Sequence, residues 1–312
     1  MARLALSALV LLCACSPDAS QPRQQAVAVK PKRGAAIAPI AKEAPEPDIV
    51  ITPRAGHFIA RSTVHGYALI ATDMLPRIEQ VRTSVPRCDE WGEIDPKTPG
   101  GKAAKALGWR VTDEKSIGRL TAVTILRRYE SWPGLYCMPV TSNIVFFEAG
   151  TVVAILHPAP GPYFIPAALE SMRGGALRVW TTMPAPPVGD LTLIGKTLRL
   201  STTASVDTLC DGQVKIPNLF RKPITEARAI LLRHGWKPSR LGPIDRDTDE
   251  YYRFYRKGIT EIDSCAVDSV GQCLFDYKSR HGLLEVETGQ LDDGDKEGVI
   301  SYGIDCAKRP TR

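Results

Sequence analysis

The chain has no apolar run long enough to span a bilayer. A membrane helix needs about 20 apolar residues, and the longest stretch after the N-terminus, residues 151–156, is strand-sized. No transmembrane helix is therefore expected. The motifs of familiar chemistry are missing too. None of the five histidines, His57, His65, His157, His234 and His281, stands in HExxH or in a close metal-ligand pair. Each reads as a surface or partly buried side chain. GxSxG is absent. Gly100-Gly101-Lys102 looks like the tail of a phosphate loop, but the spaced glycine before it is missing. Ala103 stands where Ser or Thr would hold magnesium, so the segment reads better as a helix entrance.

Asp245, Asp247 and Asp249 are spaced like the start of a calcium loop. Glu250 replaces the glycine required at the sixth position and Arg256 the glutamate at the twelfth, which excludes an EF-hand. Asp292, Asp293, Asp295 and Glu297 crowd around Gly294 and read as a solvated hairpin tip, while Asp190 reads as a turn aspartate. These patterns imply no cofactor, no metal and no catalytic set. They favour a non-enzymatic chain without deciding the matter.

What is present starts at the N-terminus. Arg3 precedes an apolar run at residues 4–12, a length that suits the h-region of an export signal. Leu12-Cys13-Ala14-Cys15 resembles the lipobox of bacterial lipoproteins. That resemblance implies cleavage after residue 14, a mature N-terminus at Cys15, and acyl chains on it. Cys13 is an uncommon occupant of its position in that motif. Two or more acyl chains give stable anchoring at about 0.8 kcal/mol per buried methylene. Ser16 follows where an inner-membrane retention signal often has aspartate, which points to the outer membrane, on its periplasmic face.

Residues 15–47 hold no aromatic side chain and are rich in Ala, Pro, Gln and Lys. Such a segment cannot offset its ordering entropy. It reads as a lipidated disordered tether with a coil span of roughly 30 Å. The basic cluster of Lys30, Lys32 and Arg33 reads as solvated charge.

From residue 48 about 265 residues remain, which suggests two domains, 48–206 and 207–312. With Cys13 and Cys15 set aside six cysteines remain, an even count that argues for disulfides in an exported chain. Fifteen pairings are open to six cysteines. Cys88 with Cys137, Cys265 with Cys273, and Cys210 with Cys306 are favoured. No CxxC supports a zinc or thioredoxin-type reading.

The expected fold class is α+β. The first domain reads as mainly antiparallel β, with strands at 119–128, 143–147, 151–156, 177–181 and 191–200. Ala149-Gly150 marks a hairpin. Its one short helix has Thr98 as cap, Pro99 at the first position and Gly108 at the end. The run 98–103, Gly108 to Thr112 and the hairpin resemble uncharacterised secreted proteins of proteobacteria, a likeness that carries no function with it.

The smaller second domain reads as two helices on an antiparallel sheet. One helix runs from Pro223 to Gly235, with Ile224, Ala227 and Leu231 on one face. The other covers 250–257, capped by Asp247 or Asp249, and strands follow at 259–266, 272–278, 283–288 and 298–305. Residues 216–220 and 224–238 resemble the opening of a PASTA repeat. The likeness stops there: a second helix and a disulfide hairpin have no place in that module, and it implies no peptidoglycan contact.

Charge is uneven in this part. Residues 215–257 carry a net charge of +6 and residues 258–306 a net charge of −8. Either the molecule has a basic and an acidic side that could steer a partner, or basic helices compensate acidic strands. Tyr251, Tyr252, Phe254 and Tyr255 cannot all face inward, so Tyr251, Tyr252 and Tyr255 form a possible partner surface. The leading expectation is a non-enzymatic, lipid-anchored envelope protein that binds or buttresses another envelope protein or polymer. A periplasmic inhibitor or immunity protein, and a hydrolase of envelope polymers, are the alternatives. Nucleic acid is not an expected partner.

Overall fold

Short alternating runs dominate the chain, and they fold as strands. The computed structural model describes residues 58–79, 88, 92–132, 136–159, 165–181, 186–239, 249–266, 271–291 and 296–306. The leader, Cys15, the tether, His57, Asp245, Asp247 and the 292–295 tip therefore lie outside the described residues. So do the side chains of Asp249 and Tyr251.

Chain order opens with β1 Ile59–Ser62, β2 Tyr67–Ala71, α1 Pro99–Ala106, β3 Arg110–Ile117, β4 Leu120–Trp132 and β5 Tyr136–Glu148. It continues with β6 Thr151–Pro158, β7 Pro166–Ser171, β8 Leu177–Thr181, β9 Gly189–Ile194, β10 Thr197–Ser201, β11 Val206–Leu209 and β12 Val214–Pro217. The last elements are α2 Ile224–Arg233, β13 Lys237–Ser239, α3 Asp249–Tyr255, β14 Ile262–Cys265, β15 Cys273–Ser279, β16 Gly282–Gln290 and β17 Glu297–Asp305. The described structure is thus mainly antiparallel β with three helices.

One five-stranded sheet has the order β1-β10-β9-β8-β7 and a second the order β2-β6-β5-β4-β3. All neighbours are antiparallel except β1 and β10, which run parallel. Period-two alternation explains how the two sheets share a core. Leu177, Val179, Leu191, Leu198 and Leu200 of the first sheet pack with Leu120, Ala122, Ile144, Phe146 and Leu156 of the second. The intervening Val123, Ile125, Val145 and Phe147 point to the opposite face. There they pack with Ala104 of α1 and Trp109.

That outer layer depends on α1. Thr98 accepts from Gly101 N at 3.0 Å, as an N-cap should, and its hydroxyl donates to the Glu114 carboxylate of β3. A side chain on Gly101 would run into that carboxylate. The Ala149-Gly150 turn joins Glu148 to Thr151, with positive φ at both central residues, as a two-residue hairpin requires.

The third sheet has the order β13-β15-β16-β17, with β14 also paired to β15, and β11-β12 forms a separate hairpin. Phe275, Tyr277, Leu284, Val286 and Val299 of the sheet pack with Ile224, Ala227 and Leu231 of α2 and Phe254 of α3. α2 begins after Pro223, and the Gly235 φ of 81° turns the chain out of the helix. Disulfides join Cys88 to Cys137, Cys210 to Cys306 and Cys265 to Cys273. They are the three pairs favoured from the sequence. In the third, the two cysteines lie opposite each other on β14 and β15.

The segment 191–200 departs from its reading as one strand. It is a hairpin: Ile194 pairs with Thr197, leaving only Gly195 and Lys196 in the turn. The apolar alternation continues straight through that turn, which hides it. Asp190 is not a simple turn aspartate either. It lies within β9, paired with Ser201 of β10 and Arg178 of β8, and its carboxylate holds that buried arginine.

Candidate binding cleft

A cleft of about 870 Å³ opens where the first two sheets meet the segment leading into α2. Val64, Tyr67, Pro186, Pro187 and Val188 line it from the first two sheets and their loops. The 217–222 turn and the last turn of α2 line it with Phe220, Arg221, Lys222, Ile230, Arg233 and His234. Among its described lining residues every Asp, Glu, Lys or Arg side chain is cationic: Arg221, Lys222 and Arg233.

Asn218 ties the 217–222 turn to the 203–204 segment. Its Nδ2 donates to Thr203 Oγ1 at 2.6 Å and to the Ala204 carbonyl at 3.0 Å. Its Oδ1 accepts from Phe220 N at 2.9 Å, which folds the 218–220 turn back on itself. Arg221 then adopts φ 65°, a left-handed conformation that costs a non-glycine residue about 1 kcal/mol. β17 holds it there: Arg221 N donates to the Val299 carbonyl at 2.8 Å, and Val299 N donates to the Lys222 carbonyl at 2.9 Å. Gly298 makes this approach possible, since a Cβ there would lie 2.8 Å from the Arg221 carbonyl oxygen.

Behind Phe220 lies a buried ionic junction. Arg178 of β8 donates to both carboxylate oxygens of Asp190, at 2.8 and 3.1 Å, and to both of Asp207, at 2.8 and 2.7 Å. Tyr302 of β17 donates its hydroxyl to Asp207, and Ala204 N donates to Asp190 at 3.0 Å. Burial alone would lower the guanidinium pKa. Its bonds to Asp207 and Asp190 outweigh that and hold it above its ordinary value. Burial, and then donation to Asp207, pushes Tyr302 above the usual tyrosine range. Phe220 stands over this junction, 5.3 Å from Arg178, 5.7 Å from the Trp180 ring and 4.5 Å from the Tyr302 ring. A guanidinium with four hydrogen bonds to two carboxylates therefore lies against the Phe220 ring that lines the cleft.

Two of the five histidines, His65 and His234, line the cleft and are exposed. His157 and His281 are half-buried elsewhere. The sequence treated all of them singly and missed that two of them share one opening. It also missed Arg178, Asp207 and Thr181. One signal was available: Arg178 is a lone charge inside a strand flanked by the core residues Leu177 and Val179.

The partner-surface tyrosines divide. Tyr252 and Tyr255 are 42% and 52% exposed, whereas Phe254 is buried against Phe275, with ring centroids 5.1 Å apart. The charge asymmetry is partly compensated. Arg228 of α2 meets Glu261 at 2.7 Å, and Arg253 of α3 meets Glu297 at 2.7 Å, so basic helix faces acidic strand segment. Lys222 pairs with Glu226 at 2.7 Å, while Arg233 has no ion pair among the described residues.

Among the described residues no group of three His, Cys, Asp or Glu side chains could hold a metal ion, and no helix is long and apolar enough to cross a membrane. Comparison with family models, with curated proteins and with solved structures finds no match to this chain.

Proposed function

We propose that the chain is a lipid-anchored protein of the cell envelope, held to the membrane by acyl chains on Cys15, that recognises another envelope component through its cleft and does not transform it. The single observation that carries the recognition reading is the cleft itself. Its described charged groups are all cationic, and its Phe220 ring packs against Tyr302 and the paired Arg178. That is a surface for holding a ligand. A hydrolase of envelope polymers needs two carboxylates, or a histidine with an aspartate, converging in the opening. The described charges of this cleft are of the other kind.

The three disulfides support an oxidising compartment outside the cytosol. In this reading residues 48–206 act as a mostly β platform and residues 207–312 as a stapled α+β layer that completes the cleft. The protein faces the periplasm, from the outer membrane more than the inner. A periplasmic inhibitor is the second reading. The exposed Tyr252 and Tyr255 favour it, with Tyr251 beside them in sequence, because tyrosine is enriched in protein contact surfaces.

Two experiments separate these statements. Palmitate labelling of growing cells is expected to mark the wild type and to vanish in Cys15→Ser; undiminished labelling of the variant refutes the anchor. A photoreactive residue placed at position 233 or at position 252 reads the contact surface in cells. Adducts at 233 support the cleft, adducts only at 252 support the inhibitor reading, and none at either position refutes both.

A further inference from the structure

We infer that the cleft is built for a small amphipathic anion: an oxyanion head group, phosphate or carboxylate, joined to an apolar body. The inference deepens the recognition reading above and rests on it. Three observations independent of one another point to it.

The first is the lining itself. Apolar side chains, Val64, Tyr67, Pro187, Val188 and Phe220, share the cleft with Arg221, Lys222 and Arg233, and no Asp or Glu is among the described lining residues. A ligand that satisfies both kinds of lining carries negative charge and apolar surface together. Arginine suits an oxyanion, since its planar fork donates two parallel hydrogen bonds. The volume, about 870 Å³, falls in the range of small-ligand sites.

The second is Thr181. It lines the cleft, is only 8% exposed, and its hydroxyl has no hydrogen-bond partner among the described residues. A buried hydroxyl left unmade is costly. A ligand oxygen would supply its missing bond.

The third is the backbone of Arg221. A non-glycine residue is held left-handed by its own N–H bond to Val299 of β17 and by the bond from Val299 N to the next carbonyl, Lys222, over a glycine that leaves room for it. Strain maintained by its surroundings is characteristic of a ligand clamp. Here it sets Arg221 and Lys222, the latter paired with Glu226, among the lining residues of the cleft.

The test uses full-length chain carrying Cys15→Ser, which leaves every described residue unchanged, and isothermal titration below the micellar concentration of each probe. Decyl phosphate and decanoate are the anionic probes, inorganic phosphate the head group alone, and decyltrimethylammonium the cationic control. Saturable one-to-one binding is expected for at least one anionic probe, about tenfold or more tighter than for inorganic phosphate or the cationic probe. Arg233→Glu, on the exposed last turn of α2, is expected to weaken that binding about tenfold with unchanged thermal melting. Thr181→Val is expected to weaken it several-fold. Equal binding of the cationic probe, equal binding of inorganic phosphate, or full affinity in Arg233→Glu overturns the inference. Each of those outcomes leaves the palmitate result, and hence the anchor, untouched.

Discussion

Two buried aspartates in this molecule have opposite surroundings. Asp207, 2% exposed, sits beneath the cleft with a bidentate arginine on one side and a tyrosine hydroxyl on the other. Asp276, 5% exposed, sits on β15 of the third sheet, and the charges that act on it are those of Asp263 and Glu285, both acidic. Burial is nearly the same in both places. At the junction Asp207 is bonded to Arg178 of β8 and to Tyr302 of β17, and so clamps two parts of the fold together. In the sheet, burial first, then Asp263, then Glu285, push the carboxyl pKa up to about 6. Burial is the largest influence on Asp276, and its acidic neighbours add to it, whereas Asp207 is bonded to a cation.

Breaking the clamp should have the largest effect. Arg178→Met keeps much of the side-chain volume but leaves Asp190 and Asp207 without their cation. Removing one member of a buried ion set costs about 3–5 kcal/mol, and urea denaturation should show a loss of that order. Asp207→Asn in the Arg178→Met background should recover part of it, because one of the two stranded charges is then gone. A loss under 1 kcal/mol in Arg178→Met would mean that the two layers are held by apolar packing alone.

Little of that junction was legible in the sequence. Arg178, Asp190 and Asp207 are 12 and 29 residues apart along the chain, with Arg178 first. No local pattern joins them, and Asp190 beside Pro186, Pro187 and Gly189 reads as a turn. The cleft was hidden for the same reason, since Tyr67, Thr181 and Arg233 meet only after the sheets have formed. Where the physics is local, the sequence spoke clearly. Thr98-Pro99 opened α1, Gly235 closed α2, Ala149-Gly150 made its hairpin, and Cys265 met Cys273 across adjacent strands. The hairpin Gly195-Lys196 is the instructive failure: its two-residue turn keeps the apolar alternation in step, so 191–200 looked continuous. The burial of Leu191, Leu198 and Leu200 could be read from sequence; the reversal between them could not.

Relief of Asp276 should have the next largest effect, and its sign is opposite. Native Asp276 keeps its proton to about pH 6, whereas an aspartate in the unfolded chain loses it near pH 3.9. Between those values the native state binds more proton than the unfolded state. Its contribution to stability is therefore full below about pH 4 and falls as pH rises to about 6. Above that the folded protein carries an unfavourable buried charge. Asp276→Asn removes it, and should stabilise the protein by about 1–2 kcal/mol at pH 7.5 with no gain at pH 3.5. Urea midpoints at the two pH values check this; an equal gain at both would mean that packing, not ionisation, is responsible.

The smallest effects come from the neighbours of Asp276, and they sharpen the comparison most. Glu285 is its cross-strand partner on β16, and Asp263 lies on β14, which also pairs with β15. Like charges facing each other across strands destabilise a sheet by roughly 0.2–1 kcal/mol. Asp263→Asn should lower the Asp276 titration midpoint, seen by carboxyl carbon NMR, and Glu285→Gln should lower it less, since Asp263 is the stronger of the two influences. Each should raise stability at pH 7.5 by a few tenths of a kcal/mol. In the Asp276→Asn background most of that gain should disappear, because the repulsion has lost its other partner. If the midpoint stays near 6 in both single variants, desolvation alone sets it, and sign of neighbour matters only at the junction.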